Sequence, residues 1–119
     1  MVPLQAINAP SYILAFDNTG NLSTGLAISN VAAQAANVSV IIRDDTGVEI
    51  GTGSINLPAQ GHKSFMLTDM SAGGWDVTAG VRGTIEFDTP TGGRIAPLGL
   101  RFAAIPGGFT ITTIPVMER

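Results

Sequence analysis

Apolar residues recur at every second position along most of the chain. Tyr12, Leu14 and Phe16 share one parity, and Leu22, Thr24, Leu26 and Ile28 share another run with Ser23, Gly25, Ala27 and Ser29 between them. Val38, Val40 and Ile42 follow, with Ser39, Ile41 and Arg43 opposite. Successive side chains of a strand point to opposite faces, so alternation over runs this short predicts strands rather than helices. Val31 to Ala36 could form a helical turn, but its short length between Asn30 and Asn37 favours a connection.

The punctuation between the runs is turn chemistry. Asp17-Asn18-Thr19-Gly20-Asn21 and Leu57-Pro58-Ala59-Gln60-Gly61 predict turns, and Asp44-Asp45-Thr46-Gly47 predicts a tight hairpin with Gly47 at a positive φ. On the return strand Val48 and Ile50 have one parity, while Ile55 and Leu57 have the other. That switch requires a β-bulge, expected across Gly51-Thr52-Gly53. Phe65 and Leu67 continue the pattern. Residues 68–80 lack it and predict a loop with room for one helical turn.

Val81, Ile85 and Phe87 then alternate with Arg82, Thr84 and Glu86, which places Glu86 on a solvated face. Thr89 to Gly93 turns the chain. Leu98, Leu100 and Phe102 alternate with Pro97, Gly99 and Arg101, and Pro97 marks an edge, a strand start or a bulge. Pro106-Gly107-Gly108 turns again, and Phe109 to Val116 reads as the last strand. The whole predicts an all-β fold: an antiparallel β-sandwich of about eight strands over residues 12–119, each sheet with one wet face. Residues 1–11, with two prolines, read as a linker or edge segment. Phe16-Asp17 leading to Gly25-Leu26 is weakly repeated by Phe87-Asp88 leading to Gly99-Leu100, as two hairpins in equivalent places would produce.

Composition narrows the functions. The chain has 119 residues, 45% of them apolar and only 13% charged. That length suits one domain with its own core, which needs neither a metal nor a disulfide to fold. Six Lys and Arg are spread singly, and the net charge is −3. The phosphate-neutralising cluster that drives nucleic-acid binding is missing, and so is attraction to an anionic membrane. There are no cysteines, hence no thiolate metal site and no Cys nucleophile. No apolar run is long enough to span a membrane. Met1 to Gln5 lacks the basic and apolar regions of a signal peptide, and Met1 is compatible with a module cut from a longer chain.

Candidate chemistry is sparse. His62 is the sole histidine and follows the Gly61 turn, where an exposed polar strand start is expected. No Gly-x-Ser-x-Gly elbow accompanies it. Glu86 and Asp88 do not read as the carboxylate pair of a glycosidase. Asp17-Asn18-Thr19 and Asp44-Asp45-Thr46 supply oxygens that calcium could use, with Asp88 near Asp17 if the two hairpins are equivalent. Asp and Asn also belong in turns for backbone reasons alone, and no metal, cofactor or catalytic residue is assigned.

Trp75, the lone tryptophan, lies in the least regular segment. It is either an exposed residue for a sugar or protein partner, or a plug for one end of the sandwich, and the plug is favoured. Tyr12 is the sole tyrosine, so no aromatic platform for carbohydrate is evident. Val2 and Leu4 alternate around Pro3. Residues 2–8 are therefore expected along a sheet edge, within the chain or across to a neighbour, against the plainer alternative of a flexible leader. Other edge protection is expected from Pro97 and the glycine-rich strand from Glu49 to Asn56.

The pieces Ala15 to Gly20, Ser23 to Ala27, Leu57 to His62, Arg82 to Phe87, Leu98 to Phe102 and Phe109 to Val116 resemble an immunoglobulin-like module of large secreted proteins from Acidobacteria and related soil bacteria. The resemblance covers roughly residues 12–117 and rests mostly on turn and core residues. It implies a secreted or surface setting and a non-enzymatic role, with no binding residues to carry over. The expected function is a structural or adhesive module of a larger extracellular protein. Its partners would be other proteins, neighbouring modules of the same chain, or further copies joined through sheet edges. A carbohydrate-binding module with polysaccharide as partner is the first alternative, and a filament subunit assembling by strand exchange is another.

Overall fold

The computed structural model describes residues 11–69, 74–89, 94–114 and 116–118. The expectations for Val2, Leu4 and the rest of residues 2–8 lie outside them. Among the described residues nine strands follow in order: β1 Ser11–Asp17, β2 Leu22–Asn30, β3 Ala36–Asp44, β4 Glu49–Leu57, β5 His62–Met66, β6 Arg82–Asp88, β7 Ile95–Ile105, β8 Gly108–Ile114 and β9 Met117–Glu118. A 3-10 helix at Asp76–Thr78 lies between β5 and β6. The strands form two antiparallel sheets, one ordered β4-β3-β6-β1-β9 and the other β5-β2-β7-β8. The fold is an all-β sandwich.

The alternating residues meet between the sheets. Tyr12, Leu14, Phe16, Leu26, Ile28, Val38, Val40, Ile42, Ile85 and Phe87 are all buried in one cluster. The hairpin at Asp44–Gly47 joins β3 to β4, with Gly47 at φ 91°. The parity switch in β4 is present. Ile42 faces Gly51 and Arg43 faces Glu49, which leaves Ile50 unopposed. The bulge therefore sits at Ile50, just before the glycines, and Gly51, Gly53, Ile55 and Leu57 face inward together.

The turns at Asp17–Asn21 and Leu57–Gly61 are not hairpins. Each carries the chain from one sheet to the other, as does the link from β6 to β7. The two similar segments are thus sheet-crossing arches rather than hairpins. Their strands pair antiparallel, with Tyr12 facing Phe87, Phe16 facing Gly83, Gly25 facing Leu100 and Leu26 facing Gly99. That register is what a twofold relation between the arches produces, and it sends the arches to opposite ends of the sandwich. Asp17 faces Arg82 and Asp88 faces Ser11, so six strand steps, about 20 Å, separate the two carboxylates. The calcium arrangement that would unite them does not form.

The last predicted strand, Phe109 to Val116, is β8, which ends at Ile114, and a further short strand follows it. β8 completes one sheet, and β9 crosses to pair with Tyr12 and Ile13 of β1. Pro97 lies inside β7 but beyond the reach of β8, whose last residue, Ile114, faces Gly99. Its missing N–H therefore removes no ladder bond, and the edge reading of Pro97 holds locally.

Candidate interaction surface

Trp75 closes one side of the sandwich. Its amide donates to the Leu67 carbonyl at 2.5 Å, and its own carbonyl accepts the buried Thr78 hydroxyl at 2.7 Å. The Asn18 side chain in turn donates to the Thr78 carbonyl at 2.9 Å. These bonds hold the segment over the inner face of β4, where Gly51 and Gly53 leave room. The indole lies on Gly53 and meets Phe65 edge-on, with ring centroids 5.9 Å apart. Val77 lies over Gly51 in the same way. Trp75 is half-buried and packed against the core, so it has the plug arrangement. Tyr12 is buried in the core. Neither ring forms part of an open platform.

The polar candidates remain apart. His62 is exposed on β5 opposite Ser29, and no ion pair joins it to a carboxylate among the described residues. The Asp17 carboxylate accepts the Thr19 amide at 2.9 Å, and Asp44 accepts the Thr46 amide at 2.9 Å and the Val48 amide at 3.1 Å. The Thr19 hydroxyl foremost, then its amide, holds Asp17 below the usual carboxylate range. The Thr46 hydroxyl, then the Val48 amide, does the same for Asp44. Both carboxylates act as turn braces. Among the described residues no group of three His, Cys, Asp or Glu could hold a metal ion.

Glu86 corrects the expectation of a solvated side chain. It lies between Ile13 and Ile41 of the flanking strands, with its side chain only 8% exposed. Arg43 reaches it at 2.9 Å. Alternation placed Glu86 correctly on the outer face, but β6 is the central strand of its sheet, and branched neighbours on both sides cover it.

The largest departure concerns β7. Its inward residues are Ile95, Pro97 and Gly99, all buried, while Leu98, Leu100 and Phe102 face outward and are half-buried. Gly99 is small because the Leu14 side chain of the facing sheet fills its place, 2.5 Å from where a Cβ would stand. With the interior filled from β1, the larger residues of β7 go outside. There Phe102 and Met66 meet over Gly25, at 3.2 and 3.3 Å from its missing Cβ. Phe102 also meets Phe109 edge-on at 5.8 Å. Phe109 and Ile111 of β8 extend this strip and are 61% and 57% exposed. The expected wet face of this sheet is largely apolar. Sequence reasoning named Trp75 and passed over this strip, although the apolar parity of Leu98, Leu100 and Phe102 was its signal.

No protein-family model and no curated protein sequence matches the chain. The structure is similar to the crystal structure of Thermotoga maritima 1070. The TM-score is 0.69 over 93% of this chain and 95% of that one, at 8% identity. That likeness shows a shared fold. The crystal structure of FLGD from P. aeruginosa aligns over 94% of this chain and 78% of that one at 19% identity, with a TM-score of 0.33, too low to indicate a common architecture.

Proposed function

We propose that the chain is a non-catalytic structural or adhesive module of a larger extracellular or cell-surface protein, acting by surface contact. The observation that carries this reading is the apolar strip from Leu98 through Phe102 to Phe109 and Ile111, on a sheet face whose partner would be another protein surface. The extracellular setting rests on the resemblance to secreted bacterial modules. The carbohydrate reading has less to support it, because Trp75 and Tyr12 are engaged in packing.

Labelling of intact source cells with an antibody raised against the folded domain tests the setting. Signal on intact cells is expected. Signal that appears only after permeabilisation would overturn the proposal.

A further inference from the structure

Each sheet of an open sandwich ends in edge strands with unpaired main-chain groups, and proteins blunt such edges with charge, proline, bulges or short length. Among the described residues the edges are β4, β9, β5 and β8. β4 carries the bulge at Ile50 and is covered by Trp75 and Val77. β9 has two residues, and β5 carries His62 and Lys63. β8 has none of these devices. Its seven residues, Gly108 to Ile114, include no charge and no proline, and its register with β7 is unbroken.

The main-chain direction of β8 follows from its neighbour. Ala104 sends its N–H to the Asn21 carbonyl at 3.0 Å and accepts the Asn21 side-chain amide at 2.8 Å. Both groups thus point away from β8, so Ala104 and the facing Phe109 form a non-hydrogen-bonded pair. By the alternation of the ladder, the N–H and C=O groups of Phe109, Ile111 and Thr113 all point out from the open edge. Their side chains lie on the outer face, next to Phe102.

We propose that this edge docks β8 of a second copy of the chain, antiparallel about a twofold axis at Ile111. In that register Ile111 faces Ile111 of the copy and Phe109 faces its Thr113. Each of these pairs exchanges two N–H···O bonds. Thr110 faces Thr112 on the other side of the sheet, a favourable cross-strand pair. A second copy fits because β8 is its own complement in this register: Ile111 meets Ile111, Thr110 meets Thr112, and no charge of the strand meets itself across the axis. Among the described residues the nearest cation, Arg101, sits one strand back opposite Thr112. It would stand about 16 Å from its counterpart, three strand spacings across and two residues along, beyond the ~8 Å screening length of physiological salt. The result is one continuous sheet with the Phe102–Phe109–Ile111 strip running across both copies. A single strand edge buries less than the ~800 Å² per partner of a standard interface, so the dimer is reversible and concentration-dependent.

This deepens the interaction-module reading, on which it rests only for its biological purpose; surface labelling and self-association can each fail alone. The test is sedimentation equilibrium of the intact chain from micromolar to millimolar concentration, with oxidative cross-linking. A monomer–dimer equilibrium is expected, and Ile111→Lys shifts it to monomer. The chain has no cysteine of its own. Ile111→Cys should therefore form a disulfide dimer when oxidant is added, because hydrogen-bonded partners stand about 5.5 Å apart at Cα. Phe109→Cys and Thr113→Cys should cross-link when mixed and far less alone. Val48→Cys, at a residue 58% exposed on the β3–β4 hairpin, is the control for random collision. A monomer at all concentrations, a dimer that survives Ile111→Lys, or cross-linking of Ile111→Cys no faster than the control would each overturn the proposal. The cross-linking arm stands even if Ile111→Lys fails to fold.

Discussion

The Trp75 indole lies so closely on Gly53 that a methyl group at position 53 would overlap its ring nitrogen. The contact fixes the β5–β6 loop to the edge of the opposite sheet. Gly53→Ala should cost about 1–3 kcal/mol through overpacking. The indole should also become more exposed, read as a red shift in its emission. Thr52→Ala, at the exposed neighbour, should stay within about 0.5 kcal/mol. Equal effects at the two positions in denaturant titrations would show that the indole does not rest there.

Ile42 is fully buried between the sheets, opposite Gly51 and Ile85, whereas Ile41 is half-buried on the outer face. Ile42→Ala should cost about 2–5 kcal/mol, a large share of a typical total of about 5–15 kcal/mol. Ile41→Ala should cost less. A loss below about half a kcal/mol for Ile42→Ala would mean that the register of β3 is wrong.

Arg43 and Glu86 form a partly buried ion pair, with side chains 32% and 8% exposed. Arg43→Met leaves the Glu86 carboxylate without its guanidinium and should destabilise by about 1.5–3 kcal/mol. Adding Glu86→Leu should recover part of that loss, because an apolar pair carries no desolvation penalty. A double-mutant cycle checks the sign. A double variant less stable than Arg43→Met alone would contradict the account.

Asp17 and Asp44 both have carboxyls held below their ordinary value of 3.8, chiefly by the hydroxyls of Thr19 and Thr46. A lowered folded-state value means that the stabilisation is present above about pH 4 and is lost as pH falls through that value. The contribution of these two turns should therefore fade below about pH 4, with a shallower acid slope of stability in the Asp44→Ala variant and no contribution from them to any change between neutral pH and pH 5. A slope unaltered by Asp44→Ala would show that the turn hydrogen bonds do not favour the ionised form.

Calcium should not change the melting temperature. Asp17 and Asp44 already brace their own turns, and Asp88 lies at the far end of the β1–β6 pair. A site filled at 100 times its dissociation constant would add about 2.7 kcal/mol. Melting with calcium and with chelator distinguishes the cases, and a shift of several degrees would restore the turns as ligands.

The chain alone determined where most strands run and where it turns. Period two marks Tyr12-Leu14-Phe16 or Val38-Val40-Ile42 without reference to anything distant. The Asp44–Gly47 hairpin and the bulge before Ile55 follow from φ > 0 and from parity, which are also local. The irregular segment holding Trp75 was legible for the same reason.

Tertiary structure decided the rest. The chemistry of a turn is the same whether the chain folds back into its own sheet or crosses to the other. Asp17–Asn21 therefore revealed a turn without revealing an arch. Alternation divides a strand into two faces without saying which faces inward. In β7 the choice was made by Leu14 of another strand, which fills the space at Gly99 and turns Leu98, Leu100 and Phe102 outward. Glu86 is covered because β6 became the central strand, and sheet order depends on every other strand at once. Whether β8 stood at an edge was likewise fixed by which strands took the places beside β2 and β7, because an edge is a property of the assembled sheet and of no local sequence.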